Sequence, residues 1–464
     1  MRFRMTCTAA AVAGLLAQTS AQAQTGESAG SQVEMLDVVD VTATTETTAV
    51  QVTPSEFPAV LESAEILREI PGVDGGRLGG HGIEPVIRGQ SKNQLNILLD
   101  GAYTFGGCPN RMDPPTAYAP ATTYESIRVL KGLQTLEYGG GGAGGTVLFE
   151  RITPRFTGEK KYRGRIEGGY RSNGDGWNVT GDIAAGSDNG FGRVIATHSE
   201  SDNYEDGDGN EVRSAYEASS AALILGYTPS DKTRLEFSAE RNRLRDELFA
   251  GAGMDSPKSD NDIYRLKFTA DDMGYVVDDL KVEIYRSDVD HLMDNYTLRE
   301  PMSPMMLMRA PSTSDTVGGS IVTGIDSTVG TWKVGINVLD NDRDALRFND
   351  FNNTLNSVLW PGVSINQTGL FGELLHPVGD NNRIIAGVRY DRVRSEASKA
   401  DLTPNMPPLS PNDLYAIYYD GARAEKRTEN NWGGLLRWEH DYDSGWGTAY
   451  AGISRTVRTV SYTH

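Results

Sequence analysis

Cysteine is nearly absent from this 464-residue chain, which has only Cys7 and Cys108. That excludes a disulfide framework as the source of its stability. Cations are scarce relative to anions: 44 Lys and Arg stand against 63 Asp and Glu, a net charge of -19. So acidic a chain is a poor partner for nucleic acid, which needs basic patches. An acidic surface serves solubility first and draws cations second. Long apolar runs are missing as well. After residue 25 no stretch approaches the roughly 20 apolar residues a spanning helix requires. With 38% hydrophobic residues and a mean hydropathy of -0.42, a bundle of membrane helices is excluded. A membrane β-barrel is not, because its strands alternate apolar and polar and average out as hydrophilic. What is plentiful suits one: 52 Gly for turns, and 20 Tyr against 6 Trp and 12 Phe for interfacial rings.

Residues 1–23 read as a secretory signal peptide. Arg2 and Arg4 form the charged region, Ala9 to Leu16 a short apolar core, and Ala21-Gln-Ala23 a small-residue cleavage site. Cleavage after Ala23 removes Cys7 and leaves Cys108 without an internal disulfide partner. A lone thiol in an oxidising compartment needs a reason: a small buried residue, or a ligand.

Residues 24–50 form a polar N-terminal segment. Within it Leu36 to Thr44 is a short β-prone run. It suits an ordinary first strand or a strand added to a partner's sheet equally well. Residues 51–155 read as a compact α+β domain. Val60, Leu61, Ala64 and Leu67 mark a helix over 59–70 that stops at Pro71-Gly72. Strands follow at Pro85 to Arg88, Leu95 to Leu99, Ile127 to Leu130 and Thr146 to Phe149. The glycines from Gly139 to Gly145 precede a strand, with no Lys-Ser or Lys-Thr after them. They therefore serve tight turns and close backbone approach rather than a phosphate. From 156 to 464 short alternating segments recur between polar turns, about 13 of them. Turns are short at one end, and inserts at Leu248 to Asn261, Asp294 to Asp315 and Ser395 to Glu429 form long outer loops, the pattern of an outer-membrane barrel.

The chemistry centres on Gly106-Gly-Cys-Pro-Asn-Arg-Met-Asp-Pro-Pro115. Its glycines and prolines predict an exposed loop or a single turn. If Pro109 opens a helical turn, Cys108 and Met112 share a face. Downstream, His291 and Met293 at i, i+2 share a strand face. Thiol, thioethers and imidazole are soft donors of the kind that select Cu(I) and disfavour Mg, Ca and Mn. Two such pairs would together make a four-ligand site; neither is convincing alone. Met302, Met305, Met306 and Met308 lie in an outer loop, as passing copper contacts or as loop packing. His81 reads as a solvated loop histidine, and His198, His376 and His440 as strand-end residues. No nucleophile–base pairing marks an enzyme.

The motifs Ile70-Pro-Gly-Val73, Ile87-Arg-Gly89, Leu98-Leu-Asp-Gly101, Ile127-Arg-Val-Leu-Lys-Gly132 and Glu137-Tyr-Gly139 together resemble the plug of TonB-dependent outer-membrane receptors. The resemblance implies an α+β plug domain (51–155) inside a transmembrane antiparallel β-barrel (156–464). It implies a TonB box at Val38, Val39, Asp40, Val41, Thr42 and Ala43, TonB of the inner-membrane energy-coupling complex as partner, and residence in outer-membrane lipid. Cys108-x-x-x-Met112 with His291-x-Met293 is similar to the copper-receptor branch, which makes these four the ligands of an imported copper ion. Same-fold and other-class alternatives are a receptor for an iron-siderophore or other metal chelate, a passive or structural barrel, and a non-transporting fragment. Plugged receptors close with about 22 strands against about 13 here. The chain also ends at Ser461-Tyr-Thr-His464 without a terminal aromatic strand. The expectation is a C-terminally truncated chain with an incomplete barrel.

Overall fold

The computed structural model describes residues 34–36, 49–57, 62–274, 276–442 and 447–457. The signal peptide and the TonB box at 38–43 lie outside the described residues.

Residues 49–155 build two small sheets. The larger runs in the order Ala49–Val52, Ser126–Lys131, Gly145–Glu150, Leu95–Leu99, Ala102–Tyr103. Leu95–Leu99 lies parallel to Gly145–Glu150 and the other pairs are antiparallel. Leu95–Leu99 is buried at all five positions, as a strand with a parallel neighbour and both faces covered should be. Val73–Gly76, Glu84–Ile87 and Gln90–Ser91 make the second sheet. The helix expected over 59–70 is shorter, Ser63–Leu67. Past it the amides of Glu69 and Ile70 bond back three residues, to Ile66 and Leu67, so the helix tightens into turns before Pro71. Residues 58–61, with Val60 and Leu61, lie outside the described residues.

Glu34–Leu36 pairs with Thr153–Arg155, Tyr204–Glu205 with Glu211–Val212, and Pro411–Tyr418 is a short helix; the remaining strands form one 13-stranded antiparallel sheet in strict chain order. Its strands are β1 (Tyr162–Arg171), β2 (Gly176–Ser187), β3 (Gly190–Ser201), β4 (Tyr216–Tyr227), β5 (Thr233–Glu247), β6 (Asp255–Asp271), β7 (Val277–Asp294), β8 (Met308–Ser327), β9 (Gly330–Asn349), β10 (Thr354–Pro377), β11 (Asn382–Ala397), β12 (Arg427–Asp441) and β13 (Thr448–Arg455). Their number matches the thirteen or so alternating segments read from the sequence. Most run further than the alternation alone marks. β6 starts at Asp255 and β8 at Met308, inside stretches expected to be loop, because ladder bonds to neighbouring strands continue above the apolar band. β1 and β13 do not pair with each other, so the sheet is open among the described residues.

The faces are inverted relative to a water-soluble sandwich. Ile166, Ile183, Leu225, Ile284, Leu370 and Val388 point outward and are exposed, while Arg193, Glu240, Arg265 and Glu373 are buried. Apolar outside and polar inside is the arrangement that lipid selects. The inner face closes over residues 49–155: Ile127, Val129, Val147 and Phe149 share one buried cluster with Tyr216, Leu244, Ile263, Tyr285 and Val289 of the strands. Among the described residues no helix is long and apolar enough to cross a membrane.

Candidate metal centre

Alternation along β7 sends His291 and Met293 inward, where both are buried, and leaves Leu292 between them less so. Facing them is the loop after Ala102–Tyr103. The amide of Arg111 bonds to the Cys108 carbonyl (2.9 Å), closing a turn, and Arg111 takes a positive φ of 60°. The segment is therefore a reversed turn and not the start of a helix. It is also buried, contrary to the expected exposed loop: Cys108 is 3% exposed and Met112 7%. The barrel wall covers it, which local sequence does not reveal.

Asp113 fixes the turn. Its carboxylate, 1% exposed, accepts from the amides of Gly107 (2.6 Å) and Cys108 (2.8 Å) and from the Tyr118 hydroxyl (2.7 Å). Charge-assisted bonds of this kind are about twice as strong as neutral ones. Arg111 is held by a largely buried bidentate pair with Glu84, at 2.9 and 2.7 Å. Gly107 is required by close approach. A Cβ there would lie 2.7 Å from the His291 Cβ and 3.0 Å from Val289 Cγ1.

The result is a sulfur cluster. Cys108, Met112 and Met293 pack together with Phe249, and Ala252 and Met254 close over them. Cys108 Sγ lies 3.7 Å from Met293 Sδ, a contact between residues 185 apart in sequence. Burial, seconded by the Asp113 charge, pushes the Cys108 thiol up to about 12. His291 Nδ1 lies 2.6 Å from Ser259 Oγ and 3.9 Å from Asp113 Oδ2. Its Nε2 is buried with no hydrogen-bond partner. His291 packs against Gly107, next to Cys108, so its orphaned nitrogen and the three sulfurs share one neighbourhood, a donor set that suits a soft cation. Among the described residues no three His, Cys, Asp or Glu side chains converge to hold a metal.

Sequence reasoning missed Asp113, Phe249 and Met254. Asp113 lies inside the singled-out stretch, but its role depends on the turn. Phe249 and Met254 fall in a stretch read as an open loop, yet Gly80 and Leu78 hold that loop down through bonds to Leu248 and Gly251. His81 is no solvated histidine: it is buried, with Nε2 3.0 Å from the Ala117 carbonyl and its ring 4.7 Å from Tyr216. Met302, Met305 and Met306 are exposed and stand apart from the cluster.

Residues 40–146 match the family described as TonB-dependent Receptor Plug Domain. No curated protein sequence matches the chain. Among solved structures, the copper transporter OprC is 30% identical with a TM-score of 0.78, covering 89% of this chain and 64% of that one. The FrpB iron transporter from Neisseria meningitidis (F3-3 variant) is 14% identical, TM-score 0.68, with 90% and 66% covered. The ferric yersiniabactin uptake receptor FyuA from Yersinia pestis is also 14% identical, TM-score 0.64, with 90% and 67% covered. The last two share the fold alone, and the chain spans less than two thirds of the length of the copper transporter. Residues 40–146 thus carry the plug of the TonB-dependent receptors, seated against an antiparallel sheet with the fold of these receptors.

Proposed function

We propose that this chain is a copper receptor of the outer membrane, with Cys108, Met112, His291 and Met293 as ligands of the imported ion. Receptors of this family are transporters and not enzymes. The observation that carries the copper reading is the 3.7 Å contact between a plug thiol and a barrel thioether, with an unpartnered imidazole nitrogen nearby. A similar fold and 30% identity to a copper transporter support it. Copper sheds its water into a dry pocket of soft donors, and the Cys108 proton leaves as the thiolate binds.

Two ligands belong to the plug and two to the barrel. Any shift of the plug loop therefore dismantles the ligand set, which couples plug movement to release. The TonB box at 38–43 adds as a strand to TonB, and traction on it supplies that movement. The domain plan of signal peptide (1–23), box segment (24–50), plug (51–155) and barrel (156–464) belongs to the same reading. The iron-chelate alternative has relatives in the same fold. A bulky chelate, however, does not reach sulfurs sealed under Phe249, which is 1% exposed.

The test is the metal content of the chain recovered from outer membranes, beside a Cys108→Ala/His291→Ala double variant. About one copper per chain, lost in the variant, is expected. Chain in the membrane without copper would sink the assignment and favour the chelate reading.

A further inference from the structure

Between the plug and strands β5 to β12 lies a cavity of about 250 Å³. One water needs only roughly 10–15 Å³, so the space admits a larger guest. Its charge runs against that of the chain. Nine of its lining residues are Lys or Arg and six are Asp or Glu, an excess of three cations in a chain of net charge -19. Such a lining favours an anion over a metal ion.

Several of these cations have their own carboxylates. Arg389 holds Asp391 at 2.8 and 2.7 Å, and Arg128 holds Glu150 at 2.8 and 3.0 Å. Arg343 of β9 differs. It is 8% exposed, and among the described residues its side chain makes one hydrogen bond, from Nε to Asn341 Oδ1 at 2.6 Å. Asn341 is itself fixed, through Nδ2, to Ser314 and Thr316 at 3.2 and 3.0 Å. The Asp113 charge reaches Arg343 without forming an ion pair, and that carboxylate already accepts from Gly107, Cys108 and Tyr118. Arg111 repels it.

A guanidinium keeps its charge in proteins and carries five N–H donors in one plane. The Phe105 and Trp360 rings lie 4.7 and 5.5 Å from its Cζ. Rings offset part of the cost of burying the charge, but they leave its in-plane donors unmet. With Nε held by Asn341, four Nη–H donors remain, on a residue that lines the cavity. The Trp360 indole N–H nearby is also buried without an acceptor.

We propose that this cavity binds a small oxyanion, a carboxylate or phosphate, on the Nη edge of Arg343. The planar fork matches both groups bidentately, which a lysine does not. The anion supplies the counter-charge for a buried arginine and steadies its stack with Phe105, three residues before Cys108. None of the four proposed copper ligands takes part, so the inference stands apart from the copper reading.

The experiment is calorimetric titration of the full chain in detergent micelles, at constant ionic strength, with acetate, succinate and inorganic phosphate as probes. Saturable binding of at least one probe, about one per chain, is expected, and the preferred probe separates a carboxylate from a phosphate. Arg343→Met keeps length and ring contacts without charge, and should lose the binding. Arg343→Lys keeps the charge without the fork and should bind more weakly than the parent. Lys92→Ala, at an exposed position of the lining, should bind like the parent. The bound probe should also raise the parent's unfolding temperature and leave that of a cooperatively unfolding Arg343→Met unchanged. No saturable binding by the parent, equal binding by Arg343→Met, or a loss in Lys92→Ala as complete as in Arg343→Met would overturn the inference. Cys108→Ala should lose copper and keep the anion. A parent that binds the anion but no copper would support this site and overturn the copper reading.

Discussion

Replacing Asp113 should do more damage to copper binding than replacing any residue that is not itself a ligand. Its carboxylate accepts three bonds, from Gly107, Cys108 and Tyr118, at 2.6, 2.8 and 2.7 Å, in a site 1% exposed. In Asp113→Ala all three donors lose their acceptor. A buried donor left unpaired costs about 1–3 kcal/mol. Three neighbours do not add fully, and water entering the gap offsets part of the loss, so about 3–5 kcal/mol is the expected range. Some of that appears as disorder of the turn before copper arrives. If about 3 kcal/mol is needed to restore the turn on binding, affinity falls about 100-fold. Asp113→Asn is milder. Its amide oxygen still accepts from Cys108, and Tyr118 can turn to accept from the NH2 group, leaving the Gly107 amide opposed. A loss of about 1–2 kcal/mol, roughly tenfold, follows. Chelator competition on the full chain measures affinity, and hydrogen exchange at Gly107 and Cys108 reports the turn directly. An Asp113→Ala chain that binds copper like the parent, with those amides still protected, would show that the barrel wall alone places the thiol.

Three further expectations follow from the same geometry. The Cys108 thiol, pushed up to about 12 by burial, is neutral at ordinary pH in the metal-free chain. Copper must displace its proton, so affinity should rise about tenfold per pH unit between about 6 and 9, a slope that Cys108→Ala abolishes. The sign for stability is the reverse: the folded thiol keeps its proton above the usual value of 9.0, so its contribution is whole below that pH and is lost as pH climbs toward 12. In Gly107→Ala the new Cβ meets His291 Cβ at 2.7 Å, and neither backbone is free to move, so overpacking of about 1–3 kcal/mol should appear as a lowered unfolding temperature and weaker copper binding. Phe249→Ala removes the ring sealing the sulfurs; copper should dissociate faster in stopped-flow exchange, and an unchanged off-rate would mean the ring is not the cover.

The sheet was legible because its signal is repeated. Each strand from Tyr162 onward carries its own alternation, and a turn such as Ser187-Asp-Asn-Gly190 fixes the next, so thirteen weak readings reinforce one another. Strand ends were not legible. Above the lipid band the alternation fades, yet ladder bonds still carry β8 back to Met308, inside a stretch that read as loop. The helix near 59–70 misled for a related reason: apolar spacing persists through Ile70, while three-residue bonding has already replaced helix bonding at Glu69.

At the site, legibility divides by what each residue depends on. Cys108, Met112, His291 and Met293 announce themselves by element type and by spacings of four and two, which need no fold to be noticed. Ser259 announces nothing. Serine is common on lumen faces, and its meeting with His291 depends on the β6–β7 register. Asp113 is intermediate, adjacent to the motif but dependent on the reversed turn at Arg111. Donor identity is thus written locally, whereas donor orientation is written in sheet register. On the copper reading, selection of a soft cation needs only the four donors. The thiol's position and the dryness of the pocket need more, because they come from Asp113 beside the motif and from Phe249 in the loop between β5 and β6.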